Sequence, residues 1–365
     1  MRTMVRPLLL HQSRIEEDLK EIPDDRKIEI VTVRSPYEKL DQPNARCLAK
    51  FLLKTSTVTE LQLSCPLVQP DGTAEEIIDF LDETNDLQRL YWHGGLSDDA
   101  EAWIMQAMCF GLASNISVTT LHLAKFNLSN IRCALHFREM LMEKTNLIWL
   151  SLVFCDLQSN IFCLVDGLKA QQELRYFDLA CIVKDSPAAL VIEALQKKPI
   201  VYLHLTSCIL ESESMEALES LLATTEELEE LHLPAQFLSC EARKKRFMHT
   251  LEHSNTTLQR VYISRRRMDN DKMLEKCQQR NKLFTQVRDL LRSKTELPLS
   301  SLLPRLLEKT ASANENGSYF TFFTLQKLSG ELTSGQQLVN ATGGGASKKR
   351  YRQYEDDPSE EDIDK

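Results

Sequence analysis

The sequence predicts an α/β solenoid, with a parallel concave sheet, convex helices, a small all-α cap near the C-terminal end and a disordered tail. Three observations predict it. First, the stretch Leu147-Ile-Trp-Leu-Ser-Leu-Val-Phe-Cys-Asp-Leu157 sets apolar residues at Leu147, Leu150, Leu152, Cys155 and Leu157. Leu150 and Leu152 alternate as a half-buried strand requires, and residues 159–171 follow with helical spacing. Second, the pattern recurs. Aligned on Leu150, the chain offers Val31, Leu61, Leu90, Leu121, Phe177, Leu203, Leu231 and Val261, at intervals of 26 to 31 residues. Third, one strand–helix unit cannot bury its apolar edge alone, so nine registrations at a nearly fixed period imply stacked copies.

Taken in order, residues 1–26 read as an irregular N-terminal cap segment with a short helix before Pro23. The repeat array spans 27–270. Its first strand is expected at 28–33, and 44–57 supplies the first helix. Later helices are expected at 74–82, 98–114, 130–144, 159–171, 187–197, 212–223 and 239–252. Ser212 precedes an acidic first turn. Pro187 follows Ser186 and would stand at the first helical position, where its missing N–H costs nothing. Apolar faces such as Met215, Leu218, Leu221 and Leu222 turn toward the strands. After Val261 the period stops. A helical stretch over 271–294, a turn at Pro298 and an aromatic helix over 319–328 make a helical cap, 271–328, over the last apolar layer. From Ser329 the composition turns polar, and Gly343 to Gly345 make a flexible break. The acidic tail, 329–365, cannot bury a core and is expected to be disordered.

On these motifs, residues 27–270 resemble the leucine-rich repeat family, specifically its cysteine-containing, ribonuclease-inhibitor-like branch. The likeness is carried by Leu147–Leu157 and by Ile200-Val-Tyr-Leu-His-Leu-Thr-Ser-Cys-Ile-Leu210. It departs in the third repeat, where Trp92 and Gly95 replace the second strand leucine and the Cys, and in the sixth, where Ile182 takes the Cys position. The resemblance implies a horseshoe with one short parallel strand and one helix per repeat.

Composition narrows the function classes. The net charge is −9, so no global basic field invites nucleic acid or an anionic membrane surface. The 10 Cys are scattered without a C-x-x-C pair. Cys155 and Cys208 fall at core-facing repeat positions and read as reduced, small apolar residues of a cytoplasmic or nuclear protein, with a disulfide scaffold as the alternative. No apolar run reaches the ~20 residues that span a bilayer. The opening residues, with two Arg, a Pro and then Glu16 and Glu17, read as a poor signal peptide. The N-x-S/T sequons at Asn115, Asn127, Asn255, Asn316 and Asn340 then read as chance matches.

No phosphate-cradling Gly loop, nucleophile elbow or metal-ligand spacing is present, so the reading is of a non-enzyme with no cofactor, no metal and no small-molecule substrate. The informative residues lie between the strand leucines, because alternate strand side chains face opposite ways. One column of concave-face positions holds Arg89, Trp149, Tyr176, Tyr202 and Arg260; the next holds Tyr91, His122, Ser151, Asp178, His204, His232 and Tyr262. These twelve are the expected partner-binding residues. Strands spaced ~4.8 Å apart make the surface about 38 Å long, which suits a protein rather than a metabolite. Trp149, Tyr176 and Tyr202 fall in consecutive repeats and predict an aromatic stripe, the residue type most enriched at binding hot spots. His204 and His232 are neighbours that could share a metal or respond to pH, although Asp178 is the one further ligand nearby.

The expected function is therefore a non-catalytic module that binds another protein on its concave face. A second reading is a substrate receptor of a cullin-type ubiquitin ligase, since Leu297-Pro-Leu299 after Leu283, Val287, Leu290 and Leu291 resembles a SOCS box, without the Cys of that motif. A third is a GTPase-activating regulator, implied by family members with acidic tails, for which Asn127 is the one matching loop residue. The basic runs Arg243–Arg246, Arg265–Arg267 and Lys348–Arg350 fit a solvated face or nuclear import. Ser359, followed by acids, fits an acidophilic-kinase pattern.

Overall fold

Leucines two residues apart on a strand, repeated at a fixed period, can share one core only if every strand lies beside its successor in the same direction. The computed structural model has that arrangement. It describes residues 8–11, 14–20, 22, 27–34, 42–64, 73–94, 98–263, 266–267, 275–282 and 285. The chain divides into two compact units, 1–286 and 287–365, and all described residues belong to the first.

Ten parallel strands form one sheet in sequence order. They are β1 (Leu8–His11), β2 (Ile30–Arg34), β3 (Glu60–Ser64), β4 (Arg89–His93), β5 (Thr120–Ala124), β6 (Trp149–Val153), β7 (Tyr176–Ala180), β8 (Tyr202–His204), β9 (Glu230–Leu233) and β10 (Arg260–Ile263). A short β11 (Arg266–Arg267) turns back antiparallel on β10. Between them run α1 (Ile15–Lys20), α2 (Gln42–Lys54), α3 (Thr73–Glu83), α4 (Asp98–Ser114), α5 (Ile131–Glu143), α6 (Ile161–Ala170), α7 (Asp185–Leu195), α8 (Ser212–Thr224) and α9 (Glu241–His253). The register pairs residues one repeat apart: Leu61 with Leu90, Leu121 with Leu150, Phe177 with Leu203, and Leu231 with Val261. These are the pairings that the sequence period predicts.

The core follows from the same spacing. The two apolar strand positions of each repeat are buried, except Ile263 in the last, which is partly buried; the apolar residue three positions before the first of them is buried throughout, from Ile28 through Leu147 to Leu258. Full burial of such a side chain contributes about 1.5–3 kcal/mol. Trp92 fills the second leucine's place in the third repeat and meets Phe126 edge-on at 6.5 Å. The helices pack closely. A Cβ on Gly167 in α6 would lie 2.6 Å from the Leu141 Cβ in α5, so this contact needs a residue without a side chain. Asn115 and Asn255 are buried with their amides spent on backbone carbonyls, which leaves neither sequon open to modification in the folded chain. Among the described residues, no helix is long and apolar enough to cross a membrane.

Four expectations need correction. The described residues within 1–26 are not irregular: β1 pairs with β2 in register, Leu8 opposite Val31, and α1, the short helix expected before Pro23, follows it. β1 and α1 add a tenth strand–helix pair, with an α1 of 6 residues. In the sixth repeat, Cys181 rather than Ile182 fills the core position. Cys181 is 1% exposed and Ile182 is 80% exposed. The Cys181 thiol donates to Leu152 O at 3.2 Å, as Cys155 does to Leu123 O at 3.6 Å and Cys208 to Leu179 O at 3.7 Å. The loop is one residue shorter: Cys155 and Cys208 each lie three residues after the second strand leucine of their repeat, and Cys181 lies two after Leu179. Pro187 is the third residue of α7, which begins at Asp185; an N–H there is still unbonded within the helix, so Pro is tolerated. Finally, several helix ends shift by two residues or more: α2 starts and stops before 44–57, and α6 and α9 each follow a 3₁₀ turn.

The end of the array is covered, in part, as expected. Residues 275–282 are helical, and Arg280 donates to Leu251 O, Glu252 O and Asn255 O of the last repeat. Most of the 271–328 cap, Leu297-Pro-Leu299, the basic Lys348–Arg350 run, Ser359 and the 329–365 tail lie outside the described residues.

The register correction makes a paired prediction. Cys181→Asp buries an unpaired charge and should cost about 3 kcal/mol or more, whereas Ile182→Asp should stay within about 0.5 kcal/mol. Denaturant unfolding of both variants checks this, and the reverse order would restore Ile182 to the core.

Candidate functional site

With the leucines buried on one face of the sheet, the intervening residues line the other. The residue before the first strand leucine makes one column and the residue after it makes the next. Regular strands hold these side chains in place, so their contacts follow from register. Trp149 lies opposite Tyr176 and Tyr176 opposite Tyr202. The Trp149 and Tyr176 rings stack at 5.1 Å with 23° between planes. Tyr202 closes the group, 6.4 Å from Tyr176 and 6.3 Å from Trp149. Trp149 is 40% exposed, so the predicted stripe is present and its outer edge is open.

The rings continue into the second column. Tyr202 meets His232 at 5.1 Å, His204 meets His232 at 4.9 Å, and Tyr262 stacks on His232 at 4.4 Å. Six rings thus form a continuous surface across β6 to β10. A smaller group stands apart on β4 and β5, where His122 lies 5.6 Å from Tyr91 and 6.2 Å from His93. His93 was not among the expected residues. It sits two positions beyond Tyr91, outside both columns, and the signal for it was its alternation along the strand.

Charged groups tie the columns together. Arg89 Nε lies 2.7 Å from Glu60 Oε2, and Arg260 Nε lies 2.8 Å from Glu230 Oε2. Glu230 also holds His232 through Oε1 and Nε2 at 2.7 Å. The two glutamates anchor the face; the period puts them in the same column as Arg89 and Arg260, but they were not among the expected contact residues. The pattern that could have found them is an acid placed one repeat from an Arg in the same column. Asp178 differs. Ser151 Oγ donates to its Oδ2 at 2.9 Å, and His204 Nδ1 approaches its Oδ1 at 2.6 Å but out of line for a hydrogen bond. The other His204 nitrogen meets Thr206 Oγ1 at 2.7 Å.

Ser151 is the one expected contact residue that the structure withdraws, being 1% exposed. Its short side chain lies between Trp149 and Val153 on β6 and between His122 and Asp178 on the neighbouring strands. It supports Asp178 rather than offering a contact. A shared metal at His204 and His232 does not suit the geometry, because the Nε2 of His232 and both nitrogens of His204 already face protein groups. Among the described residues, no group of three or more His, Cys, Asp or Glu is placed to hold a metal ion.

Burial sets the protonation behaviour of the face. It depresses His122, against the Asp178 charge, and depresses His232, against the Glu230 contact. It also depresses His93, helped by Lys125. Tyr202 is pushed up to about 12, first by burial and then by Asp178 and Glu230. The basic run of α9 is committed elsewhere in part: Arg246 forms a two-point contact with Glu219, at 3.0 and 2.6 Å, and Arg243 donates to Leu210 O at 2.5 Å. Asn127 accepts from Ser129 in its own turn.

No family model matches the chain, and no curated protein matches it either.

The depressed histidines give a pH prediction. A histidine whose folded value lies below its unfolded value, about 6.5, binds fewer protons when folded. Stability is therefore whole above that pH and falls as pH drops through it. Replacing His122 by Asn should flatten the fall in Tm between about pH 6.5 and 5. Parallel thermal melts check this, and identical slopes would place His122 outside the effect.

Proposed function

We propose that the chain is a non-catalytic interaction module, a leucine-rich repeat array of the ribonuclease-inhibitor-like kind, that docks a partner protein on the open face of its sheet. The observation that carries this reading is the continuous ring surface from Trp149 to Tyr262, held on strands and open at Trp149. Aromatic rings on a rigid frame lose little freedom when a partner covers them, which is why Trp, Tyr and Arg dominate binding hot spots. Arg89 and Arg260 flank the rings, and Tyr91 with His122 gives a second, smaller foothold. A face of this length suits a folded or extended polypeptide better than a small molecule. A cytoplasmic or nuclear setting suits the buried thiols Cys155, Cys181 and Cys208, which form no disulfide.

The test separates binding from folding. Trp149→Ala, Tyr176→Ala and Tyr202→Ala should each change stability by about 0.5–1.5 kcal/mol, the value of a ring–ring contact. Each should weaken a partner recovered by affinity purification by about 2 kcal/mol. Leu150→Ala should instead cost about 2–5 kcal/mol of stability. Aromatic variants that unfold early yet retain full partner affinity would make the stripe structural and end this reading.

A further inference from the structure

We propose that this face recognises an arginine side chain of its partner, with the guanidinium laid on the Tyr176–Tyr202 rings beside Asp178. The inference rests on the docking reading above and names the chemistry of the docked group.

Charge bookkeeping on the face points to it. Among the described residues of the two columns there are three carboxylates. Glu60 and Glu230 each have a guanidinium at 2.7 and 2.8 Å. Asp178 has no Lys or Arg within ion-pair distance among the described residues; its contacts are a serine hydroxyl and an ill-aimed imidazole. An acid enclosed among rings without a cation is a costly arrangement, and a cation brought by a partner removes that cost. Its charge is also felt by neighbours, since it contributes to holding the Tyr202 hydroxyl protonated.

The surroundings select the kind of cation. Asp178 follows Tyr176 by two residues on β7, so both point to the same face about 7 Å apart. Tyr202 lies opposite Tyr176, and His204 opposite Asp178. The side chain of Asp178 keeps 17% of its surface open, enough for an edge contact from above and too little for a full two-point clasp. A planar guanidinium can stack on a ring and still direct one edge at a carboxylate, whereas an ammonium is compact and more strongly hydrated. The face already shows how it handles this group: Arg89 and Arg260 each lie across a strand on a glutamate. Asp178 is the same element with the arginine missing. The net charge of −9 favours the approach of a basic segment.

The experiment titrates the full chain with nona-arginine and nona-lysine peptides at pH 8, where histidines are ordinarily neutral, by calorimetry. Nona-arginine should bind tighter than nona-lysine, and Asp178→Asn should weaken it at least tenfold. Glu173→Gln, which removes an equal charge from an exposed site off this face, should leave it unchanged. Tyr176→Leu should also weaken nona-arginine tenfold, and this keeps the test open if Asp178→Asn does not fold. Equal effects of Asp178→Asn and Glu173→Gln would reduce the binding to general electrostatics and overturn the proposal. Equal affinity for the two peptides would overturn the guanidinium assignment. A recovered partner that loses affinity in Trp149→Ala but not in Asp178→Asn would sink this inference and leave the docking role standing.

Discussion

Helix ends in this chain leave backbone carbonyls with no partner inside the helix, and at several of them a side chain of the next repeat supplies one. Asn115 donates to Leu81 O and Thr84 O of the repeat before it. Lys144 then donates to Asn115 O, and Gln171 donates to Leu141 O and Lys144 O. Lys198 reaches Lys169 O, Asn255 reaches Leu222 O, and Arg280 closes the series on Leu251, Glu252 and Asn255. Helix starts are tied across repeats too: Asp185 accepts from the backbone N–H groups of Glu211, Glu213 and Ser214. These side chains span one repeat each. They fix the stacking distance at the helix ends, while the strand ladder fixes it at the sheet. Leaving any of them unpaired would strand buried carbonyls, at about 1–3 kcal/mol each.

That constraint explains why the sheet face is predictable. A slip of one residue between repeats would expose the leucines and misplace the buried amides together. The columns therefore could be read from the period alone, and the pairings of Trp149, Tyr176 and Tyr202 match the register found. What could not be read were features that break the period or hide behind it. β1 precedes β2 by 23 residues, short of any other interval, and its Leu8-Leu9-Leu10 run does not alternate. Cys181 and Ile182 are both apolar, so composition could not decide between them; a loop one residue shorter did. Ser151 has the spacing of a surface residue, and only the size of its neighbours buries it.

The polar ladder was equally hidden, for a different reason. Asn115, Lys144, Gln171, Lys198, Asn255 and Arg280 use four residue types, so a search for one repeated letter passes over them. What they share is reach: each places donors on the preceding helix end. Lys144 shows the cost of that position, since burial brings its ammonium down to about 8. Asn and Gln satisfy carbonyls without a charge to desolvate, and Lys and Arg add length where the gap is wider. Sequence variation is tolerated at such sites because the requirement is a donor at a distance and not a particular side chain.

The same logic distinguishes the sheet face from the helix ends. At several helix ends, donors from the next repeat reach the free carbonyls. On the face, Glu60 and Glu230 find arginines one repeat away, and Asp178 does not. An array that elsewhere supplies arginines to its face carboxylates leaves this one with a hydroxyl and an imidazole. The rings beside it are stacked and set on strands, so they are already in place before anything binds. A surface organised in this way does not need to fold around its partner. Its affinity depends on what the partner brings to the rings and to Asp178, since the ordering of the face itself is completed when the repeats stack.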